Sequence, residues 1–431
     1  MNLVFIAIVF SAFTVTAVKQ FLWIPSGSEQ SPMDILGLEM INTAGSAVTL
    51  AIGLIGVMSL FLGMMKIAEE GGLLKIIAKL LRPLMIKLFP EVPSNHPAMG
   101  AMIMNISANV LGLGNAATPF GIKAMQELDK LNPEKGTATN AMALFLAINT
   151  SSVTLLPTGI IALRAAAGSH NPAAIVPTTL FATICSTAIA IITAKLLEKK
   201  SKKSFATNDA KNVAALDDAN LKNNDENDAY PFWVSSLTII IMMALVPLTV
   251  IYGNHIAPWI VPSIMVLLMT FGLCKGVKIY ETFVEGAKDG FNVALKIIPY
   301  LVVILVAIAM FRVSGALDAL IIPLGKITEP LGLPAEALPM ALMRPLSGSG
   351  AYGIVADILN NPQIGPDSYV GYLVSTFQGS TETTFYVLAL YFGSVQIKRV
   401  RHALAAALCA DLAGVIAATA ACYFLFGYLI K

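Results

Sequence analysis

The sequence predicts an all-α, polytopic membrane protein built from two inverted-topology repeats, each with a re-entrant hairpin and a broken helix. Three observations predict it. The 431 residues are 56% hydrophobic and only 13% charged, whereas a soluble domain is nearer half apolar and a quarter charged. Long charge-free stretches are interrupted by Asn, Ser, Thr, Gly and Pro. The same order of elements also runs twice along the chain, with opposed orientation.

A chain this poor in charge cannot cover a water-facing surface of its own size, so it faces a lipid bilayer. Spanning takes roughly 20 mostly apolar residues in a helix, and 3–24, 44–66, 174–196, 232–252, 257–274, 292–312 and 402–426 meet that condition. Residues 2–18 lack a basic start and a small-residue cleavage motif, and read as a retained first span. A net charge of +2 gives no broad basic field for nucleic acid. Cys185, Cys274, Cys409 and Cys422 sit in apolar stretches without CxxC spacing and read as structural thiols.

Charge placement sets the orientation. Residues 198–231 begin EKKSKK, turn polar and end acidic, too poor in apolar surface to pack, and divide a first half (1–197) from a second (232–431). The basic start makes this linker cytoplasmic, as do KRVRH at 398–402 and the run Lys66, Lys75, Lys79, Arg82 and Lys87. The loop 25–43 has no Lys or Arg and falls on the outer, periplasmic side. Span 44–66 then runs inward and its counterpart 292–312 outward. The closing spans 174–196 and 402–426 are opposed in the same way.

Matched order supports the duplication. Each half has a span, an exit glycine (Gly71 or Gly315), an amphipathic stretch ending near proline, a small-residue segment, a polar-interrupted helix and a closing span. Opposed orientation with matched order is the pattern of an inverted repeat. The small-residue segments, NISANVLGLGNAATPFG and RPLSGSGAYG, are too short in either arm to cross and read as re-entrant hairpins.

Interrupted backbone survives in lipid only where it is buried in protein or lines a wet cavity. Asn149, Thr150, Ser151, Ser152 and Thr154, stopped by Pro157, combine side chains that compete for backbone hydrogen bonds with a helix breaker. Gln378, Ser380, Thr381 and Thr383 form the matching cluster around Gly379. With Asn105, Ser107, Asn109 and Asn115 in the first hairpin, and Ser347 and Ser349 in the second, they are the candidate solute-binding residues, the tips (105–118 and 344–350) serving as gates. The same residue types also hold helices together in membranes.

A charge at mid-bilayer costs about 3 kcal/mol on insertion scales, so it usually serves a function. Glu382 is the one carboxylate in 368–393 and Arg344 enters the second hairpin; together they are the candidate ion-coupling pair, for a proton or cation. Asp411 is a second, lone intramembrane acid, and Arg164 reads as an interfacial anchor. His96, His170, His255 and His402 are scattered without paired-ligand spacing, and no Walker A motif is present. No cofactor, metal site or enzyme constellation is indicated.

These residues carry a resemblance. HPAMGAMIMNISANVLGLGNAATPFGIKAMQEL (96–128) and ATNAMALFLAINTSSVTLLPT (138–158) closely resemble the spore maturation protein A family. MRPLSGSGAYGI (343–354) and STFQGSTETTFYVLALYFGSVQIKR (375–399) resemble the spore maturation protein B family, so the chain looks like a fusion of the two. Both belong to the group carrying the nucleoside-recognition or "gate" domain. The resemblance implies a transport-type membrane fold, without fixing nucleoside as the solute. The expected function is secondary transport or export of a small polar solute, nucleoside-like or amino-acid-like, by alternating access between the inverted halves. A non-transporting membrane scaffold or regulator is the alternative, and a homo-oligomer is compatible with either.

Overall fold

The computed structural model describes residues 2–24, 30–112, 114–198, 233, 259 and 261–430. The expected linker (Glu198 apart) and the expected span 232–252 (Trp233 apart) lie outside the described residues. Among the described residues the regular elements are helices, apart from an isolated bridge between Thr137 and Arg399. Four of these helices, Phe5–Leu22, Pro32–Glu70, Pro172–Glu198 and Ala403–Leu429, are long and apolar enough to cross a membrane.

Helix α1 (Asn2–Leu22) is followed by α2 (Pro32–Glu70). The second helix begins well before the expected residue 44, because Ser31 and Asp34 form a capping box and Pro32 occupies the first turn. Most of the expected outer loop 25–43 is therefore helix. Its 39 residues give a rod of about 58 Å at 1.5 Å per residue. The exit turn needs a left-handed residue, which Gly72 supplies with φ +84°, while Gly71 stays right-handed. Gly72, not Gly71, is thus the partner of Gly315, with φ +78°.

The remaining elements fall into two matched series. In the first half come α3 (Leu73–Leu88), a hairpin of α4 (Pro97–Val110) and α5 (Gly114–Lys130), a broken helix of α6 (Asn140–Ser151) and α7 (Thr158–Ala166), and α8 (Val176–Glu198). A helix α9 (Val261–Cys274) then leads to the second series. There α10 (Ile279–Val313) answers α2 and α11 (Ala316–Thr328) answers α3. The hairpin is α12 (Leu338–Met343) with α13 (Gly348–Asn360). The broken helix is α14 (Tyr369–Ser380) with α15 (Thr384–Ser394), and α16 (Ala403–Phe426) closes the series.

The equivalent helices that pack on each other run antiparallel, as inversion requires. In α2 and α10, Thr282 Oγ1 donates to Glu70 at 3.1 Å, while Arg312 lies 3.7 Å from Glu39 at the other end. In α8 and α16, Ser186 Oγ donates to Ala410 O at 2.8 Å, and Thr178 and Cys422 share Thr376 further along. The broken helices cross likewise: Phe145 stacks on Tyr391, and Arg164 reaches Ser375. None of the four hairpin arms has the roughly 20 residues needed to span, the longest being the 17 of α5.

Among the described residues, the two largest apolar cores mix the halves. One joins Met99, Met102, Met125 and Phe145 of the first half to Tyr391, Phe392 and Ala406 of the second. The other joins Phe61, Ile161 and Leu163 to Ile354, Phe377 and Phe426. The two repeats are interlocked, and the polar breaks lie where they cross.

Candidate functional site

The two breaks, residues 152–157 and 381–383, meet. Glu382 N donates to Thr150 O at 2.7 Å, joining the second break to the end of α6. Gly379 makes this approach feasible: a Cβ there would stand 2.8 Å from Thr179 Cγ2 and 3.2 Å from Pro157 Cβ.

Each hairpin tip closes onto the break of its own half. Leu155 N donates to Val110 O at 2.9 Å, and Phe385 N donates to Pro345 O at 3.1 Å. Amides freed by the interruption thus find carbonyls freed by the tip, the pairing that lipid depth demands. Glycine again permits the contact. Gly112, at φ +78°, would place a Cβ 2.4 Å from Leu156 O, and Gly348 would place one 2.8 Å from Thr383 Oγ1.

Between tips and breaks lies a cavity of about 600 Å³. The first half contributes Asn109, Gly112, Ser152, Thr154, Leu156 and Pro157 through Ile160. The second contributes Arg344, Leu346 through Ser349, Tyr352, Gln378, Gly379, Glu382, Thr383 and Tyr386. The Glu382 side chain is 51% exposed and the Arg344 side chain 7%, so the carboxylate faces the open space with the guanidinium behind it. Arg344 Nη2 lies 3.8 Å from Glu382 Oε2 and also donates to Thr381 O, while Nη1 donates to Thr383 Oγ1 at 3.1 Å. One carboxylate, two amides and several hydroxyls thus face a space shared by both repeats.

Of the expected residues, the structure brings Asn109, Ser152, Thr154, Arg344, Ser347, Ser349, Gln378, Glu382 and Thr383 to this cavity. The other described side chains among them do not line it. Ser107, Thr150, Ser151 and Ser380 are buried and bond back to carbonyls of their own helices. Thr381 is buried and offers its carbonyl to Arg344. Asn105 Nδ2 donates to Ala117 O at 2.8 Å and to the Tyr391 hydroxyl at 3.1 Å. Asn149 Oδ1 accepts from Asn109 Nδ2 at 2.9 Å. These two amides knit the first hairpin to the broken helices. The Asn115 side chain lies outside the described residues.

Sequence reasoning missed Tyr352, Tyr386 and Thr158. Ser349 and Tyr352 are three residues apart on α13 and so share a face, a signal that was present. Tyr386 reads as part of an apolar run. Arg164 is no interfacial anchor: it is fully buried between the halves, because Asp367 and the carbonyls of Pro366, in the turn before α14, and Gly371, in its first turn, surround it.

A model for the gate domain, described as nucleoside recognition, matches residues 51–167 and 294–398. The chain belongs to the gate family. Both matched segments carry one hairpin and one broken helix, and every cavity-lining residue lies inside them. Spore maturation protein B of Bacillus subtilis is 47% identical over 174 residues, 40% of this chain and 97% of that protein. Spore maturation protein A of the same organism is 48% identical over 160 residues, 37% of this chain and 82% of that protein. A solved structure of CNTnw in an outward-facing state aligns with TM-score 0.46 at 13% identity, covering 97% of this chain and 92% of that one. This gate-family chain, similar to both spore maturation proteins, is a multi-pass membrane protein.

Proposed function

We propose that the chain is a carrier that moves a small polar solute across the bacterial inner membrane by alternating access between its inverted repeats. The observation that carries this reading is the cavity where both breaks and the hairpin tips converge. Its roughly 600 Å³ falls within the 300–1,000 Å³ usual for small-molecule sites. A scaffold would need only the buried amides of Asn105 and Asn149. It has no use for a carboxylate facing an open polar chamber.

In this reading Glu382, Gln378, Asn109, Ser152, Thr154, Ser347, Ser349 and Thr383 hold the solute, and Arg344 tempers the Glu382 charge. Hydroxyl-rich solutes suit the lining, and the family's description as nucleoside recognition favours testing nucleosides first. The linker 198–231 is cytoplasmic. In support, α8 and α16 cross antiparallel at Ser186 and Ala410, so the close of α8, where the linker begins, shares an end with the basic KRVRH segment that precedes α16.

Full-length protein in lipid, screened by thermal shift against nucleosides, amino acids, dicarboxylates and cations, should melt higher with one class. A ligand at a hundred times its Kd adds about 2.7 kcal/mol. The responding solute should then accumulate in proteoliposomes, and Glu382→Gln should abolish both effects. Absence of both a thermal response and flux with every class tested would overturn the carrier reading.

A further inference from the structure

We propose that Asp411 is a proton-binding site set behind the cavity and linked to it through the second break. Asp411 lies mid-way along α16 and is 4% exposed. Its Oδ2 accepts from Thr384 Oγ1 at 2.7 Å, while its Oδ1 is buried without a hydrogen-bond partner. A carboxylate at membrane depth with one oxygen unpaired carries the full penalty of a desolvated charge. A proton on Oδ1 removes that charge, and the Thr384 hydroxyl already occupying Oδ2 leaves Oδ1 as the open position.

The surroundings make Asp411 an isolated acid. Helices α6, α8, α14 and α15 pack against α16. Of these, α6, α14 and α15 contain no charged residue, and Lys195 and Glu198 at the end of α8 pair with each other at 3.2 Å. Among the described residues, the one cation whose charge reaches Asp411 is Arg344, which Glu382 also engages. Arg344 and Asp411 therefore hold one four-residue stretch at adjacent points, Arg344 of the second hairpin at Thr381 to Thr383 and Asp411 of the closing helix at Thr384.

This arrangement couples the two acids. When Asp411 is ionised, Arg344 is shared between it and Glu382. When a proton binds Oδ1, Asp411 goes from −1 to neutral and Arg344 answers to Glu382 alone. Loading the proton thereby weakens the grip of Glu382 on a hydrogen-bond-donating solute. The coupling rests on the carrier reading; the proton site does not.

Infrared difference spectra of the full-length protein in bilayers, recorded between acid and alkaline pH, test the site without a solute. The expected result is a protonated-carboxyl band that titrates with pH, vanishes in Asp411→Asn, survives in Glu382→Gln and shifts in Thr384→Val. A band that persists in Asp411→Asn, or a wild-type spectrum that responds to sodium in place of pH, overturns the proposal. If Asp411→Asn fails to fold, carboxyl-13C aspartate labelling of the wild type, with Thr384→Val as the second variant, decides it: no isotope shift, or no Thr384→Val shift, overturns it. Absence of solute flux would sink the carrier reading while leaving this band in place.

Discussion

Arg164 Nη2 donates to Asp367 Oδ1 at 3.0 Å across 203 residues of sequence, tying the end of the first broken helix to the start of the second. The guanidinium also donates to Pro366 O at 2.6 Å and to Ser375 Oγ at 3.3 Å, and lies 4.4 Å from the centre of the Tyr372 ring. At the other end Arg401 takes the symmetric role on Ala138 and Asn140, but is only partly buried. Inversion of the repeat thus yields two reciprocal arginine clasps of unequal burial.

Unequal burial gives unequal cost. Arg164→Ala takes from Asp367 its buried cation and from Pro366 O its side-chain donor, and should lower stability by about 3 kcal/mol. Arg401→Ala removes a wetter contact and should lower it by about 1 kcal/mol. Arg164→Lys should not rescue, since one ammonium cannot reproduce the fork. Unfolding of the variants in lipid, monitored by helical circular dichroism, checks the ranking.

The same clasp predicts a response to acid. Asp367 lies in the turn between α13 and α14. Burial acts to raise its carboxyl, but hydrogen bonds from Ser169 and His170 and the Arg164 charge outweigh it, holding the group below its ordinary 3.8. A folded carboxyl held below its unfolded value stabilises fully above that value, and the contribution is lost as pH falls through the folded one. Stability should therefore be flat in this respect near neutrality and decline below pH 3.8, and Asp367→Asn should flatten that decline. A melting series against pH for both proteins reads it directly.

Glycines at positive φ separate strain from contact. Gly112 and Gly136 both adopt φ near +80°, but a Cβ meets Leu156 O at Gly112 and nothing within 4 Å at Gly136. Gly136→Ala should cost about 1 kcal/mol from backbone strain alone. Gly112→Ala should cost more, because the first tip must lift off the break, and it alone should abolish the solute-induced thermal shift. Equal losses in the two variants would contradict the tip-on-break contact.

Much of this architecture was legible in the sequence, because lipid makes an interrupted, uncharged helix physically conspicuous. Pro157, Gly379 and the flanking polar residues mark both breaks. The direction of individual side chains was not legible. Thr150, Ser151 and Ser380 look like site residues by composition, yet a hydroxyl in a helix can return to a carbonyl one turn back, and theirs do. The early start of α2 is encoded in the Ser31–Asp34 capping box, which lies outside the apolar run that marks the span. Burial of Arg164 depends on a turn 200 residues away, and no local pattern encodes it.

The amides of the first half provide the clearest separation of scaffold from site. The Tyr391 hydroxyl accepts from Asn105 and donates to Asn149 Oδ1 at 3.5 Å, all three being buried away from the cavity. Asn109 also donates to Asn149, but lines the cavity. Tyr391→Phe leaves buried amides short of a partner and should cost about 1–2 kcal/mol, with solute affinity unchanged. Asn109→Ala should lose solute-induced stabilisation for a comparable or smaller loss in the solute-free protein. Thermal melts of both variants, with and without the responding solute, supply the comparison. If Tyr391→Phe weakened the solute response while Asn109→Ala did not, the buried amides would belong to the site and the chamber boundary drawn at Asn109 would be misplaced.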